Sequence, residues 1–486
     1  MTVQSLRITM FAFCLMVVAS GVAQSADKTF SISKLLPKVN SHQRMAVNSQ
    51  TGDVLIVFSQ SDPADNDFGQ IYAVLCKRLK NGKYKVKKAQ LVSPATGTHG
   101  RPDVAYNPAA NQFIVVWDTM QVEADRLTQA TKVFSRLLNA AGKPVGAPVT
   151  TLDSKRGDSF VYVHTITSST APAADATFLL LWNRYPIGWD NRTQTGMWSV
   201  LLNKSGVPVN TPSQVVQGSW QDDTGGSTGK FWFFGVFPES VVTNQNGASV
   251  GTGSISTSAA DTFFMVGVTK LIGPIAVESR EAHIVKLGAG GKFQKAVLLE
   301  NAFSDDARVI QLSSKLFLTT WYKDDPDFTH RNRRFNTTVK LIKKASAPLK
   351  GSTAWFSDLV KLGNNSGGYQ ASVPPFASSS PSVSGGRFDG KHAGSPGLLP
   401  GRVQRLASHS LSTNASVAKN DAFVLGRYIK ASGKSKGGAK KLFSHGGTLR
   451  SIRAIAIPGT NDVFVAWVKR LSDSAMEVWG FSFKAK

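Results

Sequence analysis

The chain repeats itself, and a repeat restricts the choice of fold more than any composition does. Residues 101–117, RPDVAYNPAANQFIVVW, overlay residues 44–58, RMAVNSQTGDVLIVF. Each reads as strand, polar turn and strand, and each second strand ends in an aromatic residue. That second strand returns at Phe178–Trp182, Phe317–Trp321 and Val463–Trp467, with a weaker copy at Phe263–Val268. Short β-branched and aromatic runs between turn residues are the mark of buried strands. A third strand follows each, as in VFSRLLNAAGK at 133–143, with relatives around Met197, His283 and Val424 and looser ones at 71–82 and 336–346. A fourth follows in turn, as at Ala89–Val92 and Val149–Leu152.

Four antiparallel strands joined by hairpins make one blade of a β-propeller. The turn after the third strand marks successive units at Gly82, Gly142, Gly206, Gly291, about Ser346 and Gly433. A seventh unit ends after its third strand, Glu477–Phe483, and the N-terminal segment Phe30–Leu36 is a spare strand. Pairing the spare into the shortfall leaves no open edge. The expected fold is therefore all-β, a seven-bladed propeller closed by the N-terminal strand, in one domain over residues 27–486. Two Gly/Ser-rich insertions, near 218–230 and 363–401, are expected to leave close to fourth strands. The first two strands of the sixth unit are not legible between 363 and 422.

Residues 1–26 read as a secretion signal, with Arg7, the apolar run Ile8–Ala19, and small residues for cleavage after Ala23 or Ala26. The setting is then extracellular, at the cell surface or periplasmic, and no transmembrane run is expected in the mature chain. Cleavage removes Cys14 and leaves Cys76, in an apolar strand where a buried, inert thiol is expected. Hydrophobic residues at 42% and charged residues at 18% exclude a disordered polyelectrolyte.

PDVAYNPAANQFIVVWD followed by KVFSRLLNAAGKPVGAPV resembles the repeat units of secreted bacterial β-propeller proteins, with F-x-V-V-W and I/V-x-x-R-L-x-x-x-G-x-x-V strands. The likeness is strongest over 101–152 and weaker over 44–95 and 305–349. It implies a propeller and an extracellular setting, and carries no activity with it. The sialidase boxes Ser-x-Asp-x-Gly-x-Thr-Trp and Phe/Tyr-Arg-Ile-Pro do not occur.

Catalytic motifs fail on context. Gly225–Gly229 matches G-x-S-x-G, but in a polar glycine loop rather than between strand and helix. Gly229-Lys230 lacks the rest of a phosphate loop. No HExxH is present, and His164 and His283 lie in strand-like runs with structural roles expected. Carboxylates gather after second strands, at Asp62, Asp65 and Asp67, at Asp118, Glu123 and Asp125, at Asp190, and at Asp324, Asp325 and Asp327. They offer the oxygen donors that Ca²⁺ takes, but neither DPADND nor DDPD has calcium-loop spacing, so no cofactor is expected.

Lys and Arg number 56 against 31 Asp and Glu, a formal charge of +25. The run KRLKNGKYKVKK at 77–88 contains no acid and would put Lys83, Lys85 and Lys87 on one strand face, with Tyr84 and Val86 on the other. Such charge favours polyanionic partners such as acidic glycans or anionic surfaces, and equally discourages edge-to-edge pairing. No nucleic-acid module accompanies it. The function expected is binding or scaffolding. The loops after second and fourth strands leave one end of the blades and bring together Trp189, Asp190, Trp220, Trp232, Asp324, Asp325, Asp327, His330, Arg331 and Arg333 as ligand contacts. A polysaccharide hydrolase or lyase using carboxylates on the same face is the alternative. Oligomeric state is not legible.

Overall fold

The structure is a computed structural model. It describes residues 29–33, 39–61, 68–122, 129–166, 176–185, 196–217, 231–236, 241–245, 248–249, 254–255, 262–272, 277–287, 293–300, 304–313, 316–322, 330–336, 338–342, 356–362, 368–373, 422–430, 435–445, 448–472 and 475–485. The secretion signal read in residues 1–26 lies outside them.

The described elements are strands in antiparallel meanders. After the short β1 (Phe30–Ser31), the 39–91 meander runs β2 (Val39–Val47), β3 (Val54–Ser61), β4 (Phe68–Arg78) and a split outer strand, β5 (Tyr84–Val86) with β6 (Gln90–Leu91). The next runs β7 (His99–Asn107), β8 (Gln112–Val122), β9 (Gln129–Asn139) and the first half of β10 (Pro144–Ile166). The second half of β10 opens the following meander, with β11 (Ala176–Tyr185), β12 (Gly196–Asn203) and β13 (Ser213–Gln217). Then come β14 (Phe231–Val236) and β15 (Val241–Gln245), both paired to one long strand, with the two-residue β16 (Ala248–Ser249) and β17 (Ser254–Ile255) between. The long strand is β18 (Thr262–Ile272), followed by β19 (Val277–Leu287) and β20 (Phe293–Glu300).

Further on are β21 (Ser304–Ser313), β22 (Leu316–Tyr322) and β23 (His330–Phe335). They are followed by β24 (Phe356–Lys361), β25 (Gly368–Val373), β26 (Ala422–Ile429) and β27 (Ser435–His445). The last three strands are β28 (Thr448–Ala456), β29 (Asp462–Ser472) and β30 (Ala475–Lys484). The outer edge of β30 takes β1, with Phe30 opposite Gly480 and Ser31 opposite Trp479. Ile32 and Ser33 continue the contact, both donating their amides to Val478 O.

First strands of most successive meanders are neighbours, and β10 has β17 beside it. β2 lies beside β7 and also beside β28, β7 beside β10, β15 beside β21, β21 beside β24, and β24 beside β28. Aromatic ends of second strands fill the spaces between meanders: Phe58, Trp117, Trp182 and Trp467 are wholly buried. Trp117 packs with Leu55, Val57 and Leu75 of the preceding meander, and Trp182 with Ile114 and Val116. Burying ring surface of this size dominates the energetics of such a seam.

The turn after the third strand follows a local rule. Asn139 Oδ1 accepts the amides of Ala141 and Lys143, and Gly142 at φ 74° returns the chain. Asn203 does the same for Ser205 and Val207 around Gly206, and Asn336 for Thr338 and Lys340 around Val339 at φ 59°. The side chain supplies the acceptor and glycine the left-handed backbone.

This corrects three expectations. The turn placed near Ser346 is at Asn336–Lys340, because a β-branched Val339 stands where glycine marks the other turns. The third strand expected at 336–346 is therefore His330–Phe335, a polar run whose Phe335 is wholly buried. The insertion expected at 363–401 contains strand β25, and the long connection, 374–421, joins second and third strands instead of leaving near a fourth. The missing strands of that unit are thus β24 and β25.

Candidate functional site

In a meander the connections after second and fourth strands share one end, where the ligand contacts were expected. Trp189, Asp190, Trp220, Asp324, Asp325 and Asp327 lie outside the described residues. Trp232 is within strand β14, opposite Leu271, rather than in a loop. His330, Arg331 and Arg333, also expected in a loop, are on β23 opposite Tyr322, Trp321 and Thr319.

The register gives Arg333 a different meaning. It faces a residue two before the second-strand aromatic, as Arg136 faces Val115 two before Trp117. The Arg136 guanidinium makes three hydrogen bonds: Nη1 donates to Val92 O of the preceding meander at 2.8 Å, and Nε and Nη2 donate to Gly146 O at 3.0 and 2.8 Å. The arginine of the I/V-x-x-R-L pattern is thus a seam staple. Arg333 is half-buried at the same register position.

Sequence reasoning missed the polar residues of the first strands. Arg44 pairs with Val57, Asp103 with Val116, Tyr162 with Leu181, Arg308 with Thr320, and Arg453 with Ala466. Each partner immediately precedes Phe58, Trp117, Trp182, Trp321 or Trp467, so all five occupy one register position. Asp358, opposite Ala371, falls at the same level of β24 when counted from the third-strand turn. A register shift precedes the position directly in β2, β7, β10 and β21, and bulges there re-aim the side chain that follows.

Where side chains are described they converge across strands. The Arg44 guanidinium carbon is 6.0 Å from the Tyr162 ring centroid, reaching past β7 to β10. Asp103 Oδ2 accepts the Val163 amide at 2.8 Å. Burial pushes the Asp103 carboxyl up to about 6, against the opposing effects of Arg44 and of the Val163 and Val104 amides. A carboxyl so placed exchanges its proton near neutral pH. The signal in the sequence is one polar residue four before the end of an apolar strand, Arg44 before Asn48 and Asp103 before Asn107. The overlay of 44–58 on 101–117 hid it by matching Arg44 to Arg101.

Other buried polar groups are structural. Trp117 Nε1 donates to His99 Nδ1 at 3.2 Å, and His99 Nε2 faces Thr96 O at 3.1 Å, which makes Nε2 the protonated nitrogen. Burial lowers the His99 pKa. Cys76 is buried, and burial raises its thiol far above the ordinary value, as an inert role requires. Among the described residues no three His, Cys, Asp or Glu side chains gather as a metal site. Nor is any helix there long and apolar enough to cross a membrane.

No protein-family model and no curated protein matches the sequence. Among solved structures, Trypanosoma rangeli sialidase with the inhibitor DANA aligns at TM-score 0.40 and 7% identity, covering 91% of this chain and 55% of its own. The Hadza microbial sialidase Hz136 aligns at 0.41 and 8%, covering 94% and 68%. The Dos1 propeller aligns at 0.36 and 6%, covering 93% of each. This chain thus spans little more than half the length of the Trypanosoma protein. Likenesses this distant carry no argument about fold or activity.

Proposed function

We propose that the chain is an extracellular seven-bladed β-propeller, closed through β1, that binds an anionic ligand of the acidic-glycan kind at the end of the axis lined by its first strands. The blade count is supported by the succession of meanders, and the closure by β1 on β30 and by β28 beside β2. The extracellular setting rests on the signal read in residues 1–26.

The observation that carries the ligand class is the shared register of Arg44, Arg308 and Arg453, with Arg44 brought over Tyr162. Arginines repeated at one register level of the first strands would give carboxylate or sulfate a multidentate partner. Asp103 at the same level favours a second reading, hydrolase or lyase, because it has a carboxyl that titrates near neutrality.

The test is a panel of acidic and neutral oligosaccharides, measured for both binding and product formation. Binding of acidic members only, weakened about tenfold or more in Arg44→Lys and Arg453→Lys with unchanged melting, supports the reading. Turnover lost in Asp103→Asn would transfer it to the enzyme class. Binding indifferent to both arginines would end it.

A further inference from the structure

The outer edge of the 39–91 meander has charge that packing does not require. On β5 and its flanks Lys83, Lys85 and Lys87 are exposed, while Tyr84 and Val86 turn inward. Lys77 of β4 is exposed directly opposite Lys85. Four ammonium groups therefore share one face, at spacings of about 6.7 Å along the strand and about 5 Å across it. Among the described residues none of them has an ion pair.

Two features set this apart from an ordinary solvated edge. Like charges placed directly opposite destabilise a sheet, whereas a single lysine is enough to discourage edge pairing. The row is also held rigid. Leu79 N donates to Lys83 O, Lys87 N to Leu75 O, and Tyr84 Oη to Gly52 O at 3.0 Å, with the Tyr84 ring edge-on to Phe464 at 4.9 Å. The ammonium groups are thus presented in a line whose backbone entropy is already lost on folding.

We infer that this edge is a docking surface for an extended anionic polysaccharide, separate from the first-strand site. Lysine is a point charge without the planar fork that reads one carboxylate in fixed geometry, so the row suits a polymer bound by charge density. A nucleic acid would gain most from stacking on exposed aromatic rings, and the edge turns its one aromatic residue, Tyr84, inward.

The experiment uses decameric oligogalacturonate as probe, with neutral dextran oligomer and an oligothymidylate as comparison arms. Lys83→Gln/Lys85→Gln/Lys87→Gln is set against Lys204→Gln/Lys340→Gln/Lys484→Gln, three exposed lysines elsewhere that give the same net charge. Both triples should melt like the parent. The edge triple should lose roughly tenfold in affinity for oligogalacturonate, as three exposed ion pairs would give, and show a weaker salt dependence. The scattered triple should lose about twofold or less. Equal losses would reduce the effect to diffuse net charge, and tighter oligothymidylate binding with the same residue dependence would reassign the edge to nucleic acid; either overturns the proposal. A first-strand variant, Arg453→Lys, should leave the edge contribution intact, so the two sites fail separately.

Discussion

Two seams between meanders solve the same packing problem differently. Between the 99–156 and 157–217 meanders the chain runs straight through as β10, and the space is filled by Ile114, Val116, Phe178, Leu180 and Trp182. Polar links cross it in buried positions. Thr165 Oγ1 donates to Tyr106 O at 2.7 Å, and the turn glycine Gly206 docks on Ser135. Between the 448–484 and 39–91 meanders the outer strand is only the two-residue β1, the element that precedes β2 in the chain. The apolar filling is comparable, with Ile56, Phe58, Val74, Ile457 and Phe464, but the turn glycine of that position, Gly82, meets nothing within 4 Å. In its place stand β1, the Arg78–Asp462 ion pair and Tyr84 edge-on to Phe464. A seam whose outer strand is this short is held by additional side-chain contacts.

The largest expected effect tests that substitution. A chain starting at residue 34, compared with one starting at residue 27, loses the burial of Ile32, part of that of Phe30, and the amide bonds to Val478. The cost should be about 5 kcal/mol, with one cooperative transition at lower temperature. Melting identical to the longer chain would show that the terminal seam does without its strand.

The middle seam should instead respond to pH. Asp103, raised to about 6 from 3.8, favours the protonated form in the fold. Its contribution is therefore full below about pH 4 and lost as pH rises through 6, about 3 kcal/mol in all. His164, buried and lowered to about 3, has the opposite sign: its contribution is full above pH 6.5 and lost as pH falls toward 3. Parent stability between pH 4 and 6 is thus a partial cancellation. Urea titrations of Asp103→Asn should reveal the His164 slope alone, and those of His164→Leu the Asp103 slope alone. Parallel pH profiles for both variants and the parent would refute both assignments.

How much of this was legible follows the same division. The second strands could be read because burial on both faces writes them as apolar runs ending in Phe58, Trp117, Trp182 or Trp467. The turns at Gly82, Gly142 and Gly206 could be read because a positive φ almost demands glycine. Where Val339 takes that φ the ruler slipped, and with it His330, Arg331 and Arg333 went into a loop they do not occupy. The pairing of β1 with β30 was legible as a surplus strand set against a shortfall. The first-strand site was not legible, because a bulge moves the polar residue by one and periodicity has no sign for a bulge.

Turn glycines sharpen the contrast at smaller scale. Gly82 and Gly206 have φ of 76° and 81°, so alanine strains both alike. A Cβ on Gly82 meets open space, while one on Gly206 comes within 2.4 Å of Ser135 Oγ and 3.3 Å of Ile114. Gly82→Ala should cost about 1 kcal/mol and Gly206→Ala about 2 kcal/mol, the excess measuring how tightly the middle seam is closed. Equal costs by thermal melting would mean that the seam yields.

The smallest effect is the ion pair of the terminal seam. The Arg78 and Asp462 side chains are 24% and 21% exposed, so solvent screens their attraction and the bond is worth far less than its short contact suggests. Arg78 also has a second role: its amide donates to Asp53 Oδ1 at 2.7 Å, a bond that substitution of the side chain leaves in place. The clean measurement is therefore a double-mutant cycle with Arg78→Gln and Asp462→Asn, which subtracts the packing of the arginine stem against Gly52. A coupling of about 0.5–1 kcal/mol is expected at low salt, shrinking toward zero at about 1 M salt. A cycle that closes to zero at low salt would leave β1 and the Tyr84–Phe464 contact as the whole compensation. A coupling that persists undiminished at high salt would mean that the pair is drier than its exposure indicates, and that charge, rather than strand exchange, is the main closure of this seam.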